Sequence, residues 1–265
     1  GGTAKLSYLY GSSIDNKLGY NYGLSAAKTS GNIQGEVSYS ETSDKYDIND
    51  MGFQLRNNQR SITANIGYYT FKKWKKFYRT RIELNVNHTR LYTPDRPESF
   101  NVDLGINGTF LNFMTTGLNF NFRPFGQYDY YEPRFWGKKY WALPSFNFGG
   151  WVSSDYSKDF AYDINAYFRQ YIGQNRFDVT GYFSPRVRVG DMLFFVYEFQ
   201  YVYGHNVEGY AFYPFDDLPA ESVFGTRDQH TITNTLTADF RFTNRMGVNL
   251  RIRHYWARVD YNNFY

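Results

Sequence analysis

Apolar and polar residues alternate with a period of two along almost the whole chain, the pattern of extended strands whose two faces differ chemically. Ile232, Asn234, Leu236, Ala238, Phe240 and Phe242 fall on one face; Thr231, Thr233, Thr235, Thr237, Asp239 and Arg241 fall on the other. Met246, Val248, Leu250, Ile252 and Trp256 repeat the arrangement against Gly247, Asn249, Arg251 and Arg253, after a short hairpin connection at Thr243-Asn244-Arg245. The same alternation runs through Ile62/Ala64/Ile66/Tyr68, Ile82/Leu84/Val86, Val102/Leu104/Ile106, Leu118/Phe120/Phe122, Phe160/Tyr162/Ile164/Ala166/Phe168 and Phe195/Tyr197/Phe199/Tyr201.

Such segments run for about 9 to 12 residues, whereas soluble strands average about 5 to 6 and tilted strands crossing a bilayer need about 9 to 11. Their polar faces are strongly polar, as in Arg81, Glu83, Asn85 and Asn87, or Asp163, Asn165 and Arg169. An apolar exterior and a polar interior are what a bilayer-embedded barrel requires, because in lipid only closure satisfies every backbone hydrogen bond of a sheet. The expected fold is therefore all-β, a transmembrane antiparallel up-and-down β-barrel located in the cell outer membrane.

Composition agrees. Twenty-seven Tyr, 25 Phe and 5 Trp coexist with only 42% hydrophobic residues and a mean hydropathy of −0.61. No window approaches the roughly 20 apolar residues of a membrane-spanning helix. So much aromatic surface argues against disorder, and the absence of Cys excludes disulfides, thiolate metal sites and a Cys nucleophile. A net charge of +4, spread along the chain, argues against a nucleic-acid partner. The densest basic stretch, Lys72 to Arg81 with Trp74, Phe77 and Tyr78, suits an anionic membrane surface better than RNA.

Thirteen strands are expected, near residues 3–10, 17–27, 32–41, 60–70, 79–90, 100–110, 115–124, 145–153, 160–170, 176–184, 192–203, 230–242 and 246–257. Connections near 41–60, 90–100, 124–145 and 203–230 are long and should face outward together with two short ones near 10–17 and 170–176, while those near 27–32, 70–79, 110–115, 153–160, 184–192 and 242–246 are short and should be periplasmic turns. Single-chain bacterial barrels have an even strand number. The expectation is thus about 14 or more strands, residues 1–265 forming an incomplete part of a larger barrel whose first and last segments here do not pair. No export signal is visible at Gly1-Gly2-Thr3-Ala4.

Candidate chemistry is sparse. His88, His205, His230 and His254 lack metal-ligand spacing and read as interface or lumen residues. Asp44, Asp47, Asn49 and Asp50 lack the spacing of a calcium loop. The aromatic stretch from Phe125 through Tyr128, Tyr130, Phe135, Trp136 and Trp141 offers stacking surfaces for a glycan, but Tyr and Trp gather at membrane interfaces in any case. The remaining candidates are lumen charges, Arg81, Glu83, Asp103, Asp239, Arg241, Arg251 and Arg253, read as a structural network ahead of a selectivity ring. No metal, cofactor or catalytic constellation is indicated.

Three stretches carry a family resemblance: Asp50-Met51-Gly52-Phe53 with Arg56-Asn57-Asn58, Phe224 to Asn234 including Arg227-Asp228, and Arg251-Ile252-Arg253-His254-Tyr255-Trp256. Together they resemble the barrel portion of a Bacteroidota outer-membrane family described as carbohydrate-binding-family-9-like domain-containing proteins of unknown function. Gln54 stands where that pattern leads one to expect an apolar residue. The resemblance implies a periplasmic β-sandwich upstream and a barrel extending beyond Tyr265, and supplies no reaction. Asp50, Arg56, Asn57, Asn58, Arg227 and Asp228 fall at outer strand ends or loops, where they either pack loops or face a partner.

The expected role is a non-enzymatic scaffold or accessory subunit of an envelope complex. Its expected partners are outer-membrane lipid, lipopolysaccharide and other outer-membrane or periplasmic proteins. A channel or uptake barrel for oligosaccharides or other small solutes is the alternative. A hydrolase would need a Ser or an acidic dyad beside a His at one rim, which spacing does not reveal, and a soluble binding protein would need no detergent.

Overall fold

The computed structural model describes residues 7–12, 18–49, 56–130, 132–133, 138–212 and 223–265. Fifteen strands and no helix occur among them, all in one antiparallel sheet. In chain order they are β1 (Ser7–Ser12), β2 (Leu18–Lys28), β3 (Ile33–Thr42), β4 (Gln59–Tyr69), β5 (Phe77–Leu91), β6 (Pro97–Phe110), β7 (Thr115–Arg123), β8 (Gln127–Asp129), β9 (Tyr140–Ala142), β10 (Ser145–Ser153), β11 (Phe160–Tyr171), β12 (Phe177–Val189), β13 (Leu193–Phe212), β14 (Val223–Thr243) and β15 (Met246–Phe264). All but β8 and β9 form the main ladder, each paired with its neighbours in chain order except that β7 pairs with β10. These are the thirteen expected segments. β1 pairs with β2 and β15 with β14, and no pairing joins β1 to β15 among the described residues, so the described sheet is open and its first and last segments do not meet, as expected.

Register keeps apolar and polar side chains largely on opposite faces, because a one-residue slip would exchange the faces. One ladder row reads Ile66, Leu84, Leu104, Phe120, Phe148, Phe168 and Val179 from β4 to β12. On the opposite face another row reads Asn65, Asn85, Asp103, Asn121, Asn147, Arg169, Asp178, Gly204 and Gln229 from β4 to β14. The apolar row is not covered. Ile66 is 54% exposed, Phe148 52% and Leu84 38%, and nearly every described strand adds another large apolar side chain to that face.

Glycines on the polar face make room for aromatic rings from the neighbouring strand. A Cβ on Gly117 would stand 2.5 Å from Nε1 of Trp151, directly across the ladder, and one on Gly149 would stand 2.6 Å from the Ala166 carbonyl oxygen and overlap the Tyr167 ring. The rings lie over bare backbone there. Gly149→Val is expected to destabilise the fold by about 1–3 kcal/mol through overpacking; a lower unfolding temperature in detergent checks this.

The structure departs from the sequence reading in two places. β13, β14 and β15 run 19 to 21 residues, well past the expected ends. A bulge between Gly204 and Val207 absorbs the irregular residues: Asn206 takes a φ of 51° and donates its backbone N–H to Asp228, so pairing resumes beyond it. The connection expected to be a loop at 124–145 contains the β8–β9 hairpin, joined to β6 by the Ser99–Gln127 bridge.

Candidate functional site

The β8–β9 hairpin is a strap across the end of the sheet that carries the β5–β6 connection. On one side it is tied to β6, through the Ser99–Gln127 bridge and through the Tyr130 hydroxyl donating to the Pro97 carbonyl at 3.2 Å. On the other it reaches β13 and β14, where Tyr140 stacks on Phe224 at 5.2 Å with the rings 8° from parallel and Glu132 accepts the Tyr210 N–H at 3.0 Å. Through the sheet β6 and β14 are six ladder steps apart, about 29 Å if it were flat at about 4.8 Å per step. The strap covers that span with two ladder steps and one ring stack, so the sheet is curled.

The strap's anchor is a buried ion pair. Arg176 Nη1 donates to Glu208 Oε2 at 3.1 Å and to the Tyr140 hydroxyl at 3.0 Å, while that hydroxyl donates to Glu208 at 2.7 Å. The Arg176 and Glu208 side chains are only 7% and 11% exposed, and the Tyr171 ring lies 4.0 Å from the Arg176 guanidinium carbon. Burial opposes the Arg176 charge, but Tyr140, Tyr171 and Glu208 outweigh it and hold its pKa above the usual value. Burial, and then the hydrogen bond to Glu208, push the Tyr140 phenol up as well. A raised folded pKa adds stability that is fully present below the unfolded value, about 10 for a phenol, and is lost as pH climbs through the folded value. The strap should therefore stay docked from neutrality to about pH 10 and loosen above it, which amide exchange over residues 138–142 would register.

The sequence-picked charges lie on the polar face in short local contacts. Arg81 pairs with Glu83 at 2.5 Å, and Glu83 also accepts from the Tyr69 hydroxyl. Asp103 accepts from Asn121 Nδ2 at 2.6 Å, and Asp239 accepts from Asn249. Arg241, Arg251 and Arg253 form no ion pair among the described residues, and no contact links Glu83 or Asp103 to the β14–β15 group. A second polar-face node went unread in the sequence: Asp163 takes Arg186 Nη2 at 2.7 Å and Ser153 Oγ at 2.5 Å.

The loop motifs act as staples. Asn58 exchanges two hydrogen bonds with the backbone of Thr93, donating at 2.8 Å and accepting at 2.7 Å, and thereby ties the β3–β4 connection to the β5–β6 connection. Asn57 donates to the carbonyls of Asp44 and Tyr46, and Arg56 pairs with Glu98 at 3.4 Å. Asp228 holds the β13 bulge through Asn206, His205 and Asn262, and Arg227 donates to the Tyr261 hydroxyl at 3.0 Å. Asp50 lies outside the described residues. In the neighbouring turn Asp47 accepts from Asn49, and no cluster of three metal-ligating side chains occurs among the described residues. His88, His230 and His254 sit in the register of the apolar face, His230 stacked on Tyr203 at 4.6 Å.

Residues 1–265 match the family described as Domain of unknown function (DUF5916). The chain belongs to this family. No curated protein and no solved structure matches it. For this DUF5916 chain, then, the residues themselves carry the functional argument.

Proposed function

We propose that this chain is the membrane-spanning β-barrel region of an outer-membrane protein, acting without catalysis as a scaffold or accessory subunit of an envelope complex. The observation that carries the reading is the uncovered apolar face, in register from β2 to β15. In water such an area drives aggregation or association; in a bilayer it is the surface that meets lipid. The resemblance to a Bacteroidota outer-membrane family supports the same location, with lipopolysaccharide and phospholipid as its lipid partners. The backbone edges of β1 and β15 then join, directly or through further strands, because an unpaired edge is not tolerated in hydrocarbon.

The scaffold role draws support from the polar face, where Arg81–Glu83 and Arg186–Asp163 neutralise one another and the strap lies across the outer end. A wide pore would leave both features without a purpose. The test is extraction of the outer membrane with mild detergent, identification of co-purifying proteins and planar-bilayer recording. A stoichiometric set of partners with little conductance is the expected result; a lone, strongly conducting barrel would replace the scaffold with the channel, and recovery without detergent would remove the membrane assignment.

A further inference from the structure

The antiparallel ladder sends successive connections to opposite ends, so the short connections after β2, β4, β6, β10, β12 and β14 share one end. Residues 28–32, 70–80, 110–115, 153–160, 187–193 and 241–247, which form that end, hold ten basic and three acidic side chains. Their net charge of +7 exceeds the +4 of the whole chain, so the remainder is net negative. Half of the ten cations surround one connection, that between β4 and β5: Lys72, Lys73, Lys75, Lys76 and Arg79.

Backbone bonds hold this hairpin while its lysines stay unpaired. Trp74 and Phe77 exchange both backbone hydrogen bonds at 2.9 Å around Lys75-Lys76, with Lys75 at a φ of 51°, and the Leu111 N–H donates to the Lys76 carbonyl at 3.0 Å. Tyr78 stacks on Phe113 of the β6–β7 connection at 5.4 Å. All four lysines are exposed. None forms an ion pair among the described residues, and the Lys75 ammonium lies 4.8 Å from the centre of the Trp74 ring. Residues 70–80 contain no acid, and Glu83, close by in β5, is engaged by Arg81 and Tyr69.

Bare rings lie among these cations: Phe71 is 67% exposed, Trp74 53% and Phe113 57%. The uncovered apolar face leads to them, through Ile62, Ile66 and Tyr68 of β4 and through Leu84 and Ile82 of β5. Aliphatic side chains, then rings, then ammonium groups follow the order in which a bilayer presents hydrocarbon, interface and charged headgroups. An acidic protein surface would answer the charge alone; anionic lipid answers the charge, the rings and the aliphatic face together.

We propose that this end of the sheet, centred on Lys72, Lys73, Lys75 and Lys76, is a docking surface for the phosphodiester headgroups of anionic glycerophospholipids. Lysine suits the task because an ammonium on a flexible stem follows a moving phosphate as a point charge. The proposal rests on the membrane reading above, in which the long connections face outward and this end meets the phospholipid leaflet.

The test uses the full chain in an uncharged detergent, mixed with phosphatidylglycerol or phosphatidylcholine, the lipid retained through gel filtration being quantified by mass spectrometry. Phosphatidylglycerol should bind at least about 5-fold more tightly, the effect of about one fully engaged lysine. The preference should vanish in about 1 M salt, an arm that needs no substitution. It should also vanish in the combined Lys72→Gln, Lys73→Gln, Lys75→Asn and Lys76→Gln variant, where Asn tolerates the positive φ of the turn. Lys138→Gln with Lys139→Gln removes two exposed cations from the strap, at the other end, and should leave the preference unchanged. Equal retention of the two lipids, a preference that survives the four substitutions or high salt, an equal loss in the strap variant, or stronger retention of lipid A overturns the proposal. So does an acidic protein that is lost with the four lysines while lipid retention stays. Fractionation decides the membrane assignment separately: a chain found in the outer membrane that shows no lipid preference sinks this proposal alone.

Discussion

With the apolar face in lipid, as proposed, Leu84→Arg is expected to destabilise the fold by about 2–4 kcal/mol, the cost of a charge near the bilayer midplane. Leu84 is the central residue of β5, flanked by Ile66 and Leu104 in its ladder row, and 38% exposed. In a water-soluble sheet the same substitution at a part-exposed site would change stability by no more than about 0.5 kcal/mol and would improve solubility. The two environments therefore give different magnitudes and opposite effects on recovery. Asn85→Arg, one residue along on the polar face, is the control and should be tolerated. Urea titration of the protein refolded into lipid vesicles, read by loss of the heat-modifiable gel band, distinguishes them. A neutral Leu84→Arg would end the lipid-facing interpretation.

The second large effect is expected at the strap anchor. Arg176→Ala leaves Glu208 buried beside Tyr140 without its counter-ion, and breaking a buried pair on one side costs about 3–5 kcal/mol. That energy is local, because Tyr140, Arg176 and Glu208 hold the strap and not the main ladder. The expected outcome is tryptic cleavage at Lys138 and Lys139, both exposed, with the rest of the sheet still protected. Joint replacement by Arg176→Met and Glu208→Leu should restore much of the loss, since two apolar side chains of similar volume leave no stranded charge. Loss of main-ladder protection in Arg176→Ala would show that the anchor supports the whole sheet.

The sequence makes the two faces legible because pleating enforces a period of two and the residues that must agree are near neighbours or ladder partners. Thirteen strands could be placed from Ile62/Ala64/Ile66 and its equivalents for that reason. Asn57 and Asn58 could be flagged as loop determinants but not assigned, since their partners, Asp44, Tyr46 and Thr93, are backbone atoms with no sequence signature. The strap is illegible for a different reason. Tyr140 lies 36 positions from Arg176 and 68 from Glu208, and each alone resembles any other polar residue of an aromatic, basic chain. The expected grouping of Glu83 and Asp103 with Arg251 and Arg253 does not occur among the described contacts, because alternation specifies a face but not a neighbour.

The staple formed by Asn58 and Thr93 has a consequence for anything that approaches that end of the sheet. Two connections locked together, with a third cinched by Tyr140, offer a visitor a firm relief in place of wandering loops. Docking there would forgo most of the ordering entropy that a floppy epitope loses on capture. Selection for a tight, long-lived complex could then act on shape alone.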